Sequence, residues 1–277
     1  MSHSPLTVAA IQLSSQDDVA SNLAQARQWV ERAAQAGAKL VLLPENFAFF
    51  GSDEPRVRLA EPLFQTGGET APIQEALSQW AKELGITVVG GGMPTQSGDA
   101  ARPYNTAVVF GPDGRLAAHY HKIHLFDVDL PDGARYSESS RTASAIATKS
   151  VSVQGFEVGL SICYDLRFPE LYRRLVDAGA EIILVPAAFT LHTGKDHWTP
   201  LLQARAIESQ CWVIAAAQWG SHPGGRRTFG HSMVIDPWGG IVAQSPDRQG
   251  YALATVDHEY QKHVRESVPS LKHRKLR

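Results

Sequence analysis

The chain has 277 residues, with 26 Lys+Arg against 28 Asp+Glu and only two cysteines. A net charge of −2 gives no electrostatic reason for nucleic acid or an anionic membrane as partner. Two cysteines without a CxxC exclude a disulfide framework, and 43% hydrophobic with 19% charged residues excludes wholesale disorder.

At the N-terminus, the apolar run 6–13 lacks the preceding basic region of a secretory signal and is broken by Thr7 and Gln12. It reads as a first buried strand, with the cytoplasm as the expected location. No stretch offers the roughly 20 apolar residues that cross a bilayer. Residues 22–36 carry Leu23, Arg27, Val30 and Ala34 at helical spacing, and 72–84 forms a second helix with proline at its start. A hairpin is predicted for 107–110 and 116–120, then a strand at 158–162 and helices at 169–176 and 196–208. The polar, basic tail 258–277 either wraps a partner subunit or forms a solvated end.

The chain echoes itself. AGAKLVLLP (36–44) resembles AGAEIILVP (178–186), VAAIQL (8–13) resembles VGLSIC (158–163), and AVVFGPDG (107–114) resembles SMVIDPWG (232–239). The run 85–92 likewise echoes Trp212–Ala217, and the pairs fall in the same order. Continuous apolar runs suit strands covered on both faces, so two related sheets would stack with helices outside. The expected fold is α/β, a four-layer α-β-β-α sandwich of two internally related halves. No linker separates the halves, so residues 1–277 are read as one domain.

In parallel α/β sheets, ligands gather beyond the carboxyl ends of strands. Glu45 follows the strand ending at Pro44, Lys122 follows the hairpin, and Cys163 closes the strand 158–162. A thiol on a strand-to-helix turn near a helix N-terminus has a lowered pKa and backbone N–H groups for a developing oxyanion. A carboxylate can take its proton, and an ammonium can stabilise negative charge. Taken singly, each residue also suits a structural role: a buried cysteine as a small hydrophobe, a loop lysine or glutamate as a solvated charge.

The strings LVLLPENF, HKIHLFDVDLP, YSESS and GLSICYDLRFPELYRRL resemble, in order, the four signature segments of the nitrilase superfamily, the carbon–nitrogen hydrolases. This resemblance covers essentially the whole chain. It implies a cofactor-free, metal-free thiol amidase with Glu45 as general base, Lys122 stabilising the oxyanion and Cys163 as nucleophile. Glu138 of YSESS would orient the lysine and substrate, and the Tyr164 backbone N–H would be the second oxyanion donor. The segments 187–220 and 227–239 resemble the Nit branch, which implies a small carboxylated amide as substrate. Deaminated glutathione, cleaved to 2-oxoglutarate and cysteinylglycine, comes first, with omega-amidase action on 2-oxoglutaramate or 2-oxosuccinamate as the alternative. N-carbamoyl amino acid hydrolysis and a non-catalytic scaffold rank lower. A homodimer is also implied.

Phe189, Thr190, Thr193 and His197 are pocket candidates, with packing the alternative for each. Arg167 either holds a substrate carboxylate or pairs with Asp165, and Arg226 and Arg227 are weaker candidates on a Gly-rich loop. Other features carry no chemistry. His258 and His263 are five residues apart where HExxH needs four. His119, His121 and His124 lack a further ligand at metal-binding spacing, and 90–92 is not followed by a phosphate-binding pattern. Cys211 reads as core.

Overall fold

The computed structural model describes residues 4–65, 68–129, 133 and 135–276. The first half runs β1 (Leu6–Gln12), α1 (Val19–Gln35), β2 (Leu40–Leu42), α2 (Asp53–Arg58), α3 (Pro72–Leu84), β3 (Thr87–Thr95), β4 (Tyr104–Phe110) and β5 (Leu116–His121). A short hairpin, β6 (Asp127–Asp129) and β7 (Arg135–Ser137), leads to β8 (Ser150–Val153) and β9 (Phe156–Leu160). Then come α4 (Pro169–Asp177), β10 (Ile182–Ala187), α5 (Leu191–Ser209), β11 (Trp212–Ala217), β12 (Trp219–Ser221) and β13 (Arg227–Phe229). The chain ends with β14 (Met233–Ile235), β15 (Ile241–Gln244), β16 (Gly250–Val256), α6 (His258–Ser267) and α7 (Ser270–His273).

Among the described residues, two six-stranded sheets have the orders β16-β1-β2-β3-β4-β5 and β8-β9-β10-β11-β14-β15. The strands β1, β2 and β3 are parallel, as are β9, β10 and β11, and the outer strands are antiparallel. The four echoing sequence pairs therefore occupy equivalent places in the two sheets. One asymmetry breaks the repeat: β8 precedes its neighbour β9, whereas its counterpart β16 returns from the far end of the chain to close the first sheet.

Alternation along β1 shows how the layers arise. Val8 and Ala10 face the second sheet and join a core with Leu40, Leu42, Leu184 and Ala215. Ala9 and Ile11 face outward and join Ala26, Val30 and Ala33 of α1 with Leu77 of α3. On the other side, Leu171 and Leu175 of α4 and Trp198 and Leu202 of α5 cover the second sheet. Helix, sheet, sheet and helix make the four expected layers.

The glycine run 90–92 is what lets the sheets meet. A Cβ at Gly91 would lie 1.9 Å from the Leu43 carbonyl oxygen and 2.4 Å from Pro186 of the opposite sheet. Only a residue without a side chain permits that approach.

Three local expectations need correction. Helix α1 starts at Val19, where Asp18 accepts from the Ser21 N–H, and its buried positions are Asn22, Ala26, Val30 and Ala33. Arg27 lies off that face and pairs with Glu31 and Glu83. Helix α5 begins at Leu191 and runs through Pro200. Gly194, in the first turn, makes a close contact: a Cβ there would sit 2.3 Å from Phe229. The tail is not merely a solvated end, because it docks on its own chain. Arg265 donates to the Gln210 and Ala180 carbonyls, Gln261 to those of Glu181 and Gln210, and Arg274 pairs with Asp177. Arg277 lies outside the described residues.

Candidate active site

The sheet directions explain why distant residues converge. Strand β5 runs the same way as β3, being two antiparallel steps from it. Its carboxyl end therefore lies at the same edge as that of β2. Glu45 follows β2, Lys122 follows β5, Cys163 follows β9 and Ala188 follows β10. The stacked sheets bring these four ends together at the base of a cavity of about 210 Å³.

Lys122 Nζ donates to Glu45 Oε1 (2.9 Å) and to both carboxylate oxygens of Glu138 (3.1 and 2.9 Å). The lysine side chain is 2% exposed and that of Glu45 5%, so this ion-pair cluster is nearly dry. The second Glu45 oxygen accepts from the Ala188 N–H (3.0 Å), and Glu138 accepts from the Phe126 N–H (2.7 Å). Burial works against the Lys122 ammonium, but the carboxylates of Glu138 and Glu45 and the nearby Cys163 raise its pKa well above normal. Burial would raise that of Glu138, yet Lys122 and the Phe126 N–H hold it below the usual carboxylate range.

Cys163 has φ 51°, in the left-handed region, at the start of a single 3-10 turn before α4. Asp165 fixes that turn. Its carboxylate accepts from the Ile162 N–H (2.9 Å), Tyr120 Oη (2.7 Å) and both the N–H and ring of His124 (3.0 and 2.7 Å). The same carboxylate thus ties the cysteine turn to the segment carrying Lys122. The thiol is 8% exposed and lies within hydrogen-bonding reach of Glu45. Its pKa is raised, which corrects the expectation of a lowered one. Burial and the Glu45 carboxylate outweigh the opposing pull of Lys122. The resting thiol is therefore protonated, next to a carboxylate that can accept its proton.

The structure also brings in Asn105, which the sequence reading missed. Its Nδ2 donates to Glu45 (2.9 Å) and to Glu138 (3.3 Å), bridging the two carboxylates that flank the lysine. Gly92 makes room for this arrangement, because a Cβ there would lie 2.9 Å from Asn105 Oδ1 and 3.1 Å from Glu45 Cγ.

The carbon–nitrogen hydrolase profile matches residues 7–266. The chain belongs to the carbon–nitrogen hydrolase family. It is 45% identical over 273 residues to a deaminated glutathione amidase of Synechocystis sp., covering 98% of each chain. Among solved structures it resembles Nit3 of Saccharomyces cerevisiae, a member of branch 10 of the nitrilase superfamily (TM-score 0.88, 31% identity, 98% and 97% of the two chains). It also resembles the NitFhit protein of C. elegans (TM-score 0.91, 38% identity), matching over 99% of this chain but only 66% of that one. This carbon–nitrogen hydrolase is accordingly a hydrolase acting on carbon–nitrogen bonds, and the Nit-branch resemblance holds along its length. Among the described residues, no helix is long and apolar enough to cross a membrane.

Of the remaining candidates in this hydrolase, Tyr164, Arg167, Phe189, Thr190 and Thr193 line the cavity. Thr190 also caps α5, accepting from the Thr193 N–H (3.3 Å). His197 is corrected. The early start of α5 carries it to an exposed position outside the lining, where its Nδ1 accepts from Arg167 (3.2 Å). The Asp165–Arg167 pairing does not form, since Asp165 is committed to the turn and Arg167 rests over Phe189 and Tyr164. Arg226 and Arg227, held as weaker candidates, both line the cavity, as does Arg56, which the sequence reading did not single out. Cys211 lies fully buried, its thiol donating to the Ala180 carbonyl (3.1 Å) and pushed up to about 12 by burial. His124 is bound to Asp165, while His121 lies between Tyr104 and His119 (ring centroids 4.1 and 5.0 Å) with its pKa pushed down to about 4, mainly by burial.

Proposed function

We propose that the chain hydrolyses the amide of deaminated glutathione through a Cys163 thioester. The observation that carries this is the Glu45–Lys122–Glu138 cluster against a buried thiol, at the base of a cavity rich in arginine. Glu45 takes the thiol proton as sulfur attacks the amide carbon. Lys122 Nζ and the Tyr164 N–H hold the oxyanion, and Glu45 returns the proton to the departing amine. The carbon–nitrogen bond breaks and a carbon–sulfur bond remains. Glu45 then deprotonates a water, which attacks the thioester and expels the thiolate, and the sulfur recovers its proton. The protonated resting thiol fits this sequence, because attack and proton transfer occur together. Glu138 and Asn105 hold the lysine and Glu45 in place.

The full-length relatives named for deaminated glutathione support that substrate. A panel of deaminated glutathione, 2-oxoglutaramate and a neutral aliphatic amide tests it. The expected result is the highest kcat/KM on deaminated glutathione, with equal 2-oxoglutarate and cysteinylglycine. Faster ammonia release from 2-oxoglutaramate would make the chain an omega-amidase instead.

The reading includes a homodimer. Ile207, Trp238 and Tyr260 lie exposed around the Asp236–Gly239 turn, beside α5, and form an apolar surface of the kind that marks an interface. Sedimentation equilibrium is expected to give twice the chain mass. A monomer at micromolar concentration would overturn that part.

A further inference from the structure

Several arginines are neutralised by a carboxylate, among them Arg27, Arg58, Arg102, Arg205 and Arg274, and at the cavity Arg135. Among the described residues, the other arginines lining the cavity (Arg56, Arg141, Arg167, Arg226 and Arg227) form no such pair, and of these Arg56 and Arg226 stand at adjoining parts of its wall, against the segment that leads into α2. Arg56 is half-buried at the end of α2, where its Nη1 donates to Thr142 Oγ1 (3.2 Å). Arg226 reaches in from the β12–β13 turn, with its guanidinium 5.8 Å from the Phe50 ring centroid and Nη1 donating to the Gly51 carbonyl (3.2 Å). Burial lowers the Arg56 pKa, and the nearby Arg226 guanidinium adds to that effect. Asp53 also lines the cavity, and its charge acts on Arg56 without reaching ion-pair distance. Each arginine spends one N–H group on a neutral oxygen and keeps the rest of its fork. Holding two like charges together beside a cavity costs stability unless an anion sits there in the working state.

The geometry points to a second carboxylate subsite, formed by Arg56 and Arg226, for the carboxylate at the far end of the leaving amine. This rests on the amidase reading above, which it deepens from one recognised carboxylate to two. The proposed mechanism and one observation set the direction. The departing nitrogen takes its proton from Glu45, so the amine half of the substrate lies on the Glu45–Glu138 side. Arg56 is bonded to Thr142, just beyond the Glu138–Ser140 turn, and so stands within reach of the charges of Glu138 and Glu45. Arg167, stacked over Tyr164 and Phe189 beside the cysteine turn, remains for the 2-oxo acid end. A substrate carrying a carboxylate on both sides of the scissile amide fills both places.

The test compares deaminated glutathione with the same compound carrying a carboxamide in place of the glycine carboxylate, on wild type, Arg226→Gln and Arg56→Gln. Arg226 lies on a turn, so its replacement spares the core. Arg226→Gln is expected to lower kcat/KM for the free carboxylate by about 10- to 100-fold, mostly through KM. The loss on the carboxamide should be at least about tenfold smaller, since the wild type has already lost that contact there. Arg226→Lys should recover part of the rate, because it keeps charge but not the bidentate fork. Equal losses on both compounds in wild-type and variant comparisons would overturn the subsite and leave the amidase reading standing. A wild type that cleaves neither compound would overturn both.

Discussion

Replacing Cys163 with alanine is expected to lower kcat/KM on the amide substrate by about 10⁴-fold or more while leaving the fold in place. The reasoning separates chemistry from structure at this position. Cys163 sits at φ 51°, but alanine keeps the same Cβ and meets the same backbone strain. The turn is held by Asp165 and its bonds to Ile162, Tyr120 and His124, none of which involves the sulfur. Glu45 keeps its partners Lys122, Asn105 and the Ala188 N–H. Only the nucleophile is lost, and water at the same place lacks its covalent route. Steady-state rates with a thermal melt check both halves of the expectation. A variant that retains substantial turnover would sink the thioester mechanism. One that melts far below the wild type would show that the thiol holds the turn.

The residues that end strands were legible in the sequence, whereas Asn105 and Arg56, which reach the cavity from inside a strand and from a short helix, were not. Glu45, Lys122 and Cys163 each stand just beyond an apolar run, and parallel sheets put such positions at one edge. The repeat made the two-sheet layout readable as well, since identical turn chemistry recurs in the same order. Asn105 was hidden because it lies within a strand, and its role appears only when β4 is seen beside Glu45. Its one signal was an amide in an otherwise apolar stretch, "YNTAVVF", which a buried hydrogen bond to a distant carboxylate explains. The start of α5 was read five residues late, since Gly194 in its first turn is a poor helix former whose reason lies in packing against Phe229. Arg56 and Arg226 look like solvated charges in sequence, because only the folded chain turns both toward the cavity. The thiol pKa went the wrong way for the same reason: helix position is local, whereas burial and the nearness of Glu45 are not.

The ion-pair cluster leads to the second large effect. Replacing Lys122 with methionine is expected to destabilise the fold by about 3–5 kcal/mol and to remove activity, because it strips the cation from two buried carboxylates. In the wild type, Glu138 is depressed, so its contribution is present above the unfolded carboxylate pKa and lost as pH falls through the lower folded value. Lys122 is raised, so its contribution is present below the unfolded lysine pKa and lost only as pH rises through the higher folded value. Between about pH 8 and pH 5 the pair therefore contributes a constant amount. Without the lysine, two like charges share the site and burial raises the Glu138 carboxyl. The variant should then gain stability as pH falls across that range, because its folded state takes up a proton that the unfolded state does not. Adding Glu138→Gln to Lys122→Met removes one charge and retains an oxygen for the Phe126 N–H, so it should restore much of the stability without activity. Urea titrations at several pH values distinguish this from simple loss of packing. A Lys122→Met deficit that is independent of pH and unrelieved by Glu138→Gln would mean that the lysine stem, and not the balance of charge between Glu45 and Glu138, is what the fold depends on.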